Sequence, residues 1–138
     1  MKNVVFACIH NAGRSQMAAA FFNHLAGSSD VRASSAGTAP GERVHPEVVA
    51  VMKEAGIDLS SSKPRKLTQE LAREASLLIT MGCGDECPYV PGLPREDWPL
   101  EDPKGKPLAR VREIREDIRR RVEALLKREP WQHRRQET

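Results

Sequence analysis

The sequence predicts an α/β fold, a single domain whose parallel sheet is covered by helices on both faces. Three observations predict it. Short apolar runs alternate with amphipathic stretches along the chain, the pattern of strand–helix–strand units. The first run, Lys2-Asn3-Val4-Val5-Phe6-Ala7, turns continuously apolar, as a strand buried on both faces must be. The last stretch carries Leu108, Val111, Ile114, Ile118, Val122 and Leu125 at spacings of three and four, the stripe of a helix lying on a core.

Each element has its own signal. After the first strand the chain changes abruptly to Asn, Gly, Arg and Ser. Ser15 is expected to cap or open a helix with Met17, Phe21 and Leu25 on its core face, stopped by Gly27 and the serines after it. Residues 31–36 read as the second strand, ending at Gly37, and Pro40-Gly41 marks a loop. Pro46 suits the first turn of a helix whose core face is Val48, Val49 and Met52, closed by Gly56. Residues 57–66 form a loop, and Thr68 caps a short helix running through Ala75. Residues 76–81 are the third strand. Residues 82–107 are irregular and rich in Gly, Pro and acids; so long a loop in a compact domain usually has a function. It leaves room for a short strand near 97–100. The final helix turns Arg and Glu outward in pairs that support it. The domain is expected to span residues 1–128, with residues 129–138 as a polar tail.

Composition excludes several classes. The 138 residues suffice for one core. A net charge of +3, from 22 basic and 19 acidic residues, is too balanced to mark a nucleic-acid surface. No apolar stretch reaches membrane-spanning length, and the first run is too short for an export signal, so a cytoplasmic location without membrane attachment is expected. The three cysteines, Cys8, Cys83 and Cys87, are an odd count that argues against a structural disulfide framework. They are either small buried hydrophobes or working thiols.

The segment Cys8-Ile9-His10-Asn11-Ala12-Gly13-Arg14-Ser15 links a strand to a helix, which favours working thiols. A loop wrapped round a tetrahedral anion points successive backbone N–H groups inward, and the following helix adds its positive end. Arg14 can offer two parallel hydrogen bonds to two oxygens. Gly13 permits close approach, and Asn11 can hold an unusual local conformation by side-chain bonding. The same field favours the thiolate of Cys8, and Ser15 can add a hydroxyl hydrogen bond to the sulfur. His10 is expected to face solvent, contributing backbone alone.

On these residues the chain resembles the low-molecular-weight protein tyrosine phosphatase fold family, and within it the arsenate reductases. The resemblance rests on the loop extended through Gln16-Met17-Ala18, on Ser34-Ser35-Ala36-Gly37-Thr38, and on Met52-Lys53-Glu54-Ala55-Gly56-Ile57-Asp58-Leu59-Ser60. It continues in Thr80-Met81-Gly82-Cys83-Gly84-Asp85-Glu86-Cys87-Pro88 and Trp98-Pro99-Leu100-Glu101-Asp102-Pro103-Lys104-Gly105, and so covers about residues 3 to 127. It implies a four-stranded parallel sheet and an oxyanion site built from Ile9, His10, Asn11, Ala12, Gly13 and Arg14. It also implies that Asp102, before Pro103, gives a proton to the leaving oxygen, a step that needs an acid.

Reductase and phosphatase share Cys8, Arg14, Ser15 and Asp102 and part at the later cysteines. A phosphatase hydrolyses its covalent adduct with water. A reductase needs a second thiol to attack the first, and Cys83 and Cys87 supply a second and a third between flanking glycines. Residues four apart in a helical turn come within disulfide reach, so Cys83 and Cys87 can close on each other. The implied order is Cys8 on arsenate, Cys83 on Cys8, Cys87 on Cys83, then reduction by thioredoxin. The alternatives are a low-molecular-weight thiol with a glutaredoxin-like partner, and a plain protein tyrosine phosphatase.

The chain departs from family patterns in three ways. Cys83 and Cys87 are closer together than in many thioredoxin-linked members, which leaves the electron donor and the need for Cys87 open. Ala19 and Arg65 stand where some members use acids to hold potassium, so no metal site is expected. Lys104-Gly105 follow the Asp-Pro pair where phosphatases carry tyrosines, and an aryl substrate wants aromatic walls. A zinc module is disfavoured because two cysteines and no nearby histidine make a poor ligand set. A thiol-exchange protein without catalysis would not need the Arg14 cradle. No cofactor is expected, phosphate and sulfate should compete with arsenate, and the chain is expected to be a monomer.

Overall fold

The computed structural model describes residues 2–27, 30–82 and 91–128. Cys83, Cys87 and the tail 129–138 lie outside the described residues. Four parallel strands form one sheet: β1 (Lys2–Cys8), β2 (Val31–Gly37), β3 (Leu77–Thr80) and β4 (Arg95–Asp97), in the order β2-β1-β3-β4. The helices are α1 (Arg14–Ala26), α2 (Pro46–Glu54), α3 (Gln69–Arg73) and α4 (Leu108–Lys127). The expected α/β class and four-stranded parallel sheet are thus observed.

Strand alternation splits the core into two layers. Val4, Phe6 and Cys8 point to the face covered by α1, α2 and α4, while Val5, Ala7 and Leu78 point to the face beneath Leu67 and Leu71. On the larger face Phe6 meets Phe22 edge-on at 6.1 Å and Trp98 at 5.6 Å. The α4 stripe of Val111, Ile114, Ile118, Val122 and Leu125 is buried as expected. α4 packs against α1 and α2.

Several boundaries differ from expectation. Leu25 is 40% exposed rather than in the core. Each four-residue step advances about 40° beyond a full turn, so two steps from Met17 swing the side chain out; Ala18 and Phe22 fill the face instead. The helix opens at Arg14, with Gly13 as N-cap and no side-chain cap, because the Ser15 hydroxyl is directed to Cys8 and Asn11. The short fourth strand is at Arg95–Asp97 rather than 97–100, since Pro99 has no N–H for a ladder. Thr68 does cap α3, accepting from Leu71 N at 3.1 Å, although α3 ends at Arg73 rather than Ala75. Among the described residues no helix is long and apolar enough to cross a membrane.

One ion-pair cluster joins α2 to α4. Glu54 accepts from Arg112 at 2.8 Å and from Arg115 at 2.9 Å. Hydrogen bonding from Arg112 first, then Arg115, holds its carboxyl down at about 2, against an ordinary value of 4.5. A depressed folded-state value means that the contribution is present above 4.5 and is lost as pH falls toward 2. The gap in urea midpoint between wild type and Glu54→Gln is therefore expected to be constant from neutral pH to about pH 5 and to close on further acidification. Exposure keeps that gap small.

Candidate active site

β1 is the switch point of the sheet: the chain passes to β2 on one side and returns to β3 on the other. Ligands in open α/β sheets bind in the crevice at the carboxyl ends of strands at such points. Cys8 is the last residue of β1, paired with Gly37 and buried. From there residues 9–13 turn back into α1.

Four carbonyls of this turn are spent on the segment after β2. Cys8 O accepts from Thr38 N at 3.1 Å, Ile9 O from Ala39 N at 2.8 Å, His10 O from Gly41 N at 2.9 Å and Ala12 O from His45 N at 2.9 Å. The segment after β2 thereby clamps the loop from outside. The N–H groups of His10, Ala12, Gly13 and Arg14 have no acceptor among the described residues. A loop with its carbonyls tied outside and its N–H groups unspent is built for an anion.

Asn11 is the hub. Its φ of 52° lies in the left-handed region, which Asn tolerates better than most residues. Its Oδ1 accepts from Arg65 N at 3.0 Å, and its Nδ2 donates to Ser15 Oγ at 2.7 Å. Gln16 Nε2 donates to Asn11 O at 3.0 Å, to Asn11 Oδ1 at 3.2 Å and to Lys63 O at 3.3 Å. Cys8 Sγ lies 2.9 Å from Ser15 Oγ and accepts from Asn11 N at 3.2 Å. The sulfur is thus held between the Ser15 hydroxyl and the Asn11 N–H.

Arg14 is buried, and its guanidinium is held by the loop before α4. Nη1 donates to Leu100 O at 3.0 Å, and Nη2 lies 3.9 Å from Asp102 Oδ2. Asp102 Oδ1 accepts from Lys104 N at 3.0 Å. The structure therefore puts Ser15 on Cys8, and Asp102 beside Arg14, the residue at the end of the loop 9–13. His10 is exposed, as expected for a residue contributing backbone alone.

Sequence reasoning gave no role to Gln16, and it did not see two close approaches. At Gly37 an added Cβ would stand 2.5 Å from the Ile9 carbonyl oxygen and 2.9 Å from Asn11 N. β2 can reach the loop because that position has no side chain. Gly82, with φ +94°, lies against Arg14: a Cβ there would stand 2.7 Å from Nη1. Each had a weak signal, a glycine where a strand ends.

Comparison with known proteins agrees with this fold. A model of the low molecular weight phosphotyrosine protein phosphatase family matches residues 3–135. A putative arsenate reductase of Halobacterium salinarum is 40% identical over 121 residues, covering 85% of each chain. The glutaredoxin arsenate reductase of Synechocystis is 38% identical over 129 residues, 91% of this chain and 97% of its own. The solved thioredoxin-dependent arsenate reductase of Corynebacterium glutamicum superposes with a TM-score of 0.80 at 43% identity over 92% of this chain. The chain spans only 61% of that protein's length. On this evidence the chain belongs to the low molecular weight phosphotyrosine protein phosphatase family, among the arsenate reductases built on that fold.

Proposed function

We propose that this protein reduces arsenate to arsenite through an adduct on Cys8, with thioredoxin restoring the thiols. The observation that carries the proposal is the loop itself: Cys8 Sγ accepting from Asn11 N, carbonyls tied to the segment after β2, unspent N–H groups, and Arg14 at its end. Arsenate enters as an oxyanion. The Cys8 sulfur displaces one oxygen, which leaves with a proton from Asp102. Cys83 then attacks the Cys8 sulfur; an S–S bond forms, the S–As bond breaks, and its electron pair stays on arsenic as arsenite. Cys87 attacks Cys83, returns Cys8 as a thiolate, and the remaining disulfide takes two electrons from the donor.

The donor is the part that the relatives divide on, one being thioredoxin-dependent and another a glutaredoxin enzyme. Arsenate-dependent NADPH oxidation is expected with thioredoxin and its reductase, and to be at least about tenfold slower with glutathione and glutaredoxin. The reverse ranking transfers the enzyme to the small-thiol class. No oxidation in either system, together with no protection of Cys8 from alkylation by phosphate, would remove the reductase reading.

A further inference from the structure

Asp102 sits on a loop, yet a general acid must stand within hydrogen-bond reach of the oxygen it serves. We propose that Glu47, on α2, is the residue that fixes the Asp102 turn over the oxyanion loop. The inference rests on Asp102 being the proton donor in the reading above.

Glu47 lies in the first turn of α2, directly after Pro46. Its Oε2 accepts from Gly105 N at 3.1 Å. Residues 102–106 fold into a compact turn: Lys104 N donates to Asp102 Oδ1 at 3.0 Å, and Lys106 N donates to Pro103 O at 3.1 Å. Oδ1 is thus engaged within the turn, and Oδ2 is the oxygen facing Arg14. Pro103 is buried against Gly13, where an added Cβ would stand 2.8 Å from its Cγ.

The same end of α2 also holds the oxyanion loop. His45, the N-cap residue, donates its N–H to Ala12 O at 2.9 Å, and its ring lies beside Gly13. One rigid helix end therefore grips both parts of the site, the loop through His45 and the acid-bearing turn through Glu47. α2 thus helps set the separation between the oxyanion loop and Asp102, beside the direct contacts of Pro103 with Gly13 and of Asp102 with Arg14. Glu101, just before the turn, is anchored separately to Arg110 on α4 and pairs with Lys106 within the turn, so loss of Glu47 removes the hold of α2 on Gly105 without detaching the loop.

The test is a double-mutant cycle read as arsenite released in the first turnover, which does not depend on the electron donor. Glu47→Ala is expected to slow that step about tenfold, since displacements near 1 Å cost up to 100-fold, with little change in the arsenate concentration for half-saturation. Glu47→Gln keeps an oxygen acceptor for Gly105 N and is expected to recover most of the loss. In an Asp102→Asn background, Glu47→Ala is expected to add nothing. Additive losses, or Glu47→Gln as slow as Glu47→Ala, would overturn the proposal and leave Glu47 a structural residue. Asp102→Asn impaired with Glu47→Ala at wild-type speed sinks this inference alone. Asp102→Asn at wild-type speed sinks the assignment of the acid, and the inference with it.

Discussion

Cys8→Ser is expected to lower arsenite formation by at least about 10⁴-fold while leaving oxyanion binding nearly intact. Removal of a covalent nucleophile costs on the order of 10⁴–10⁶ in turnover, and here the replacement is poor chemistry in the same place. A serine hydroxyl would stay protonated at neutral pH, and even its adduct could not be resolved by a thiol, because no sulfur would be there to accept one. Binding is expected to depend on other atoms. The N–H groups of His10, Ala12, Gly13 and Arg14 and the Arg14 guanidinium all remain. The fold should tolerate the change, since the new hydroxyl would find the same two neighbours, Ser15 Oγ and Asn11 N. Arsenite yield and the rise in melting temperature with added phosphate therefore separate the two roles: the first is expected to vanish and the second to persist. Loss of the phosphate-dependent rise would mean that the sulfur, not the backbone, is what holds the anion.

That prediction draws on the part of the molecule most readable from sequence. The cradle is encoded within one strand–turn–helix segment, where a continuous apolar run, a left-handed Asn and an Arg at the helix start sit next to one another. What brings Asp102 there is not local. Arg14 reaches Leu100 O across 86 residues, and no spacing or periodicity reports such a contact; Asp102 entered through family resemblance alone. β4 lies two residues earlier than the sequence predicts for a related reason. Its Arg95, Glu96 and Asp97 carry no apolar alternation, and they form an edge strand by backbone pairing with Leu78, Ile79 and Thr80. Leu25 misled because a four-residue spacing was carried too far along a 3.6-residue helix. Gln16 stands in the sequence only as part of a motif, yet its amide links Asn11 to Lys63 and so ties the cradle to the loop beyond α2. Residues that position other residues leave little trace in composition.

The two remaining cysteines yield the other large expected effect, a counting experiment. With arsenate in excess and a full thioredoxin system, wild type turns over repeatedly. Cys83→Ser is expected to release no arsenite: the adduct on Cys8 forms, but nothing attacks its sulfur, so arsenic keeps its oxidation state. Cys87→Ser is expected to release one arsenite per enzyme and stop, because Cys83 resolves the adduct and the Cys8–Cys83 disulfide then has no third thiol to free Cys8. The contrast between none, one and many follows from where the electron pair goes at each step, not from rates. Serine substitutions that merely damaged the fold would lower the numbers without producing whole equivalents. Mass mapping after alkylation gives the same answer from the protein side, with a Cys8–Cys83 link expected in Cys87→Ser alone. If Cys83→Ser turned over many times, Cys87 would have to act directly on Cys8. If Cys87→Ser did so, the donor must itself reach the Cys8–Cys83 bond, as a small thiol could. With three residues between Cys83 and Cys87, the two would lie within disulfide reach on a helical turn, so the second outcome would mean that the donor, not the spacing, decides whether Cys87 is used.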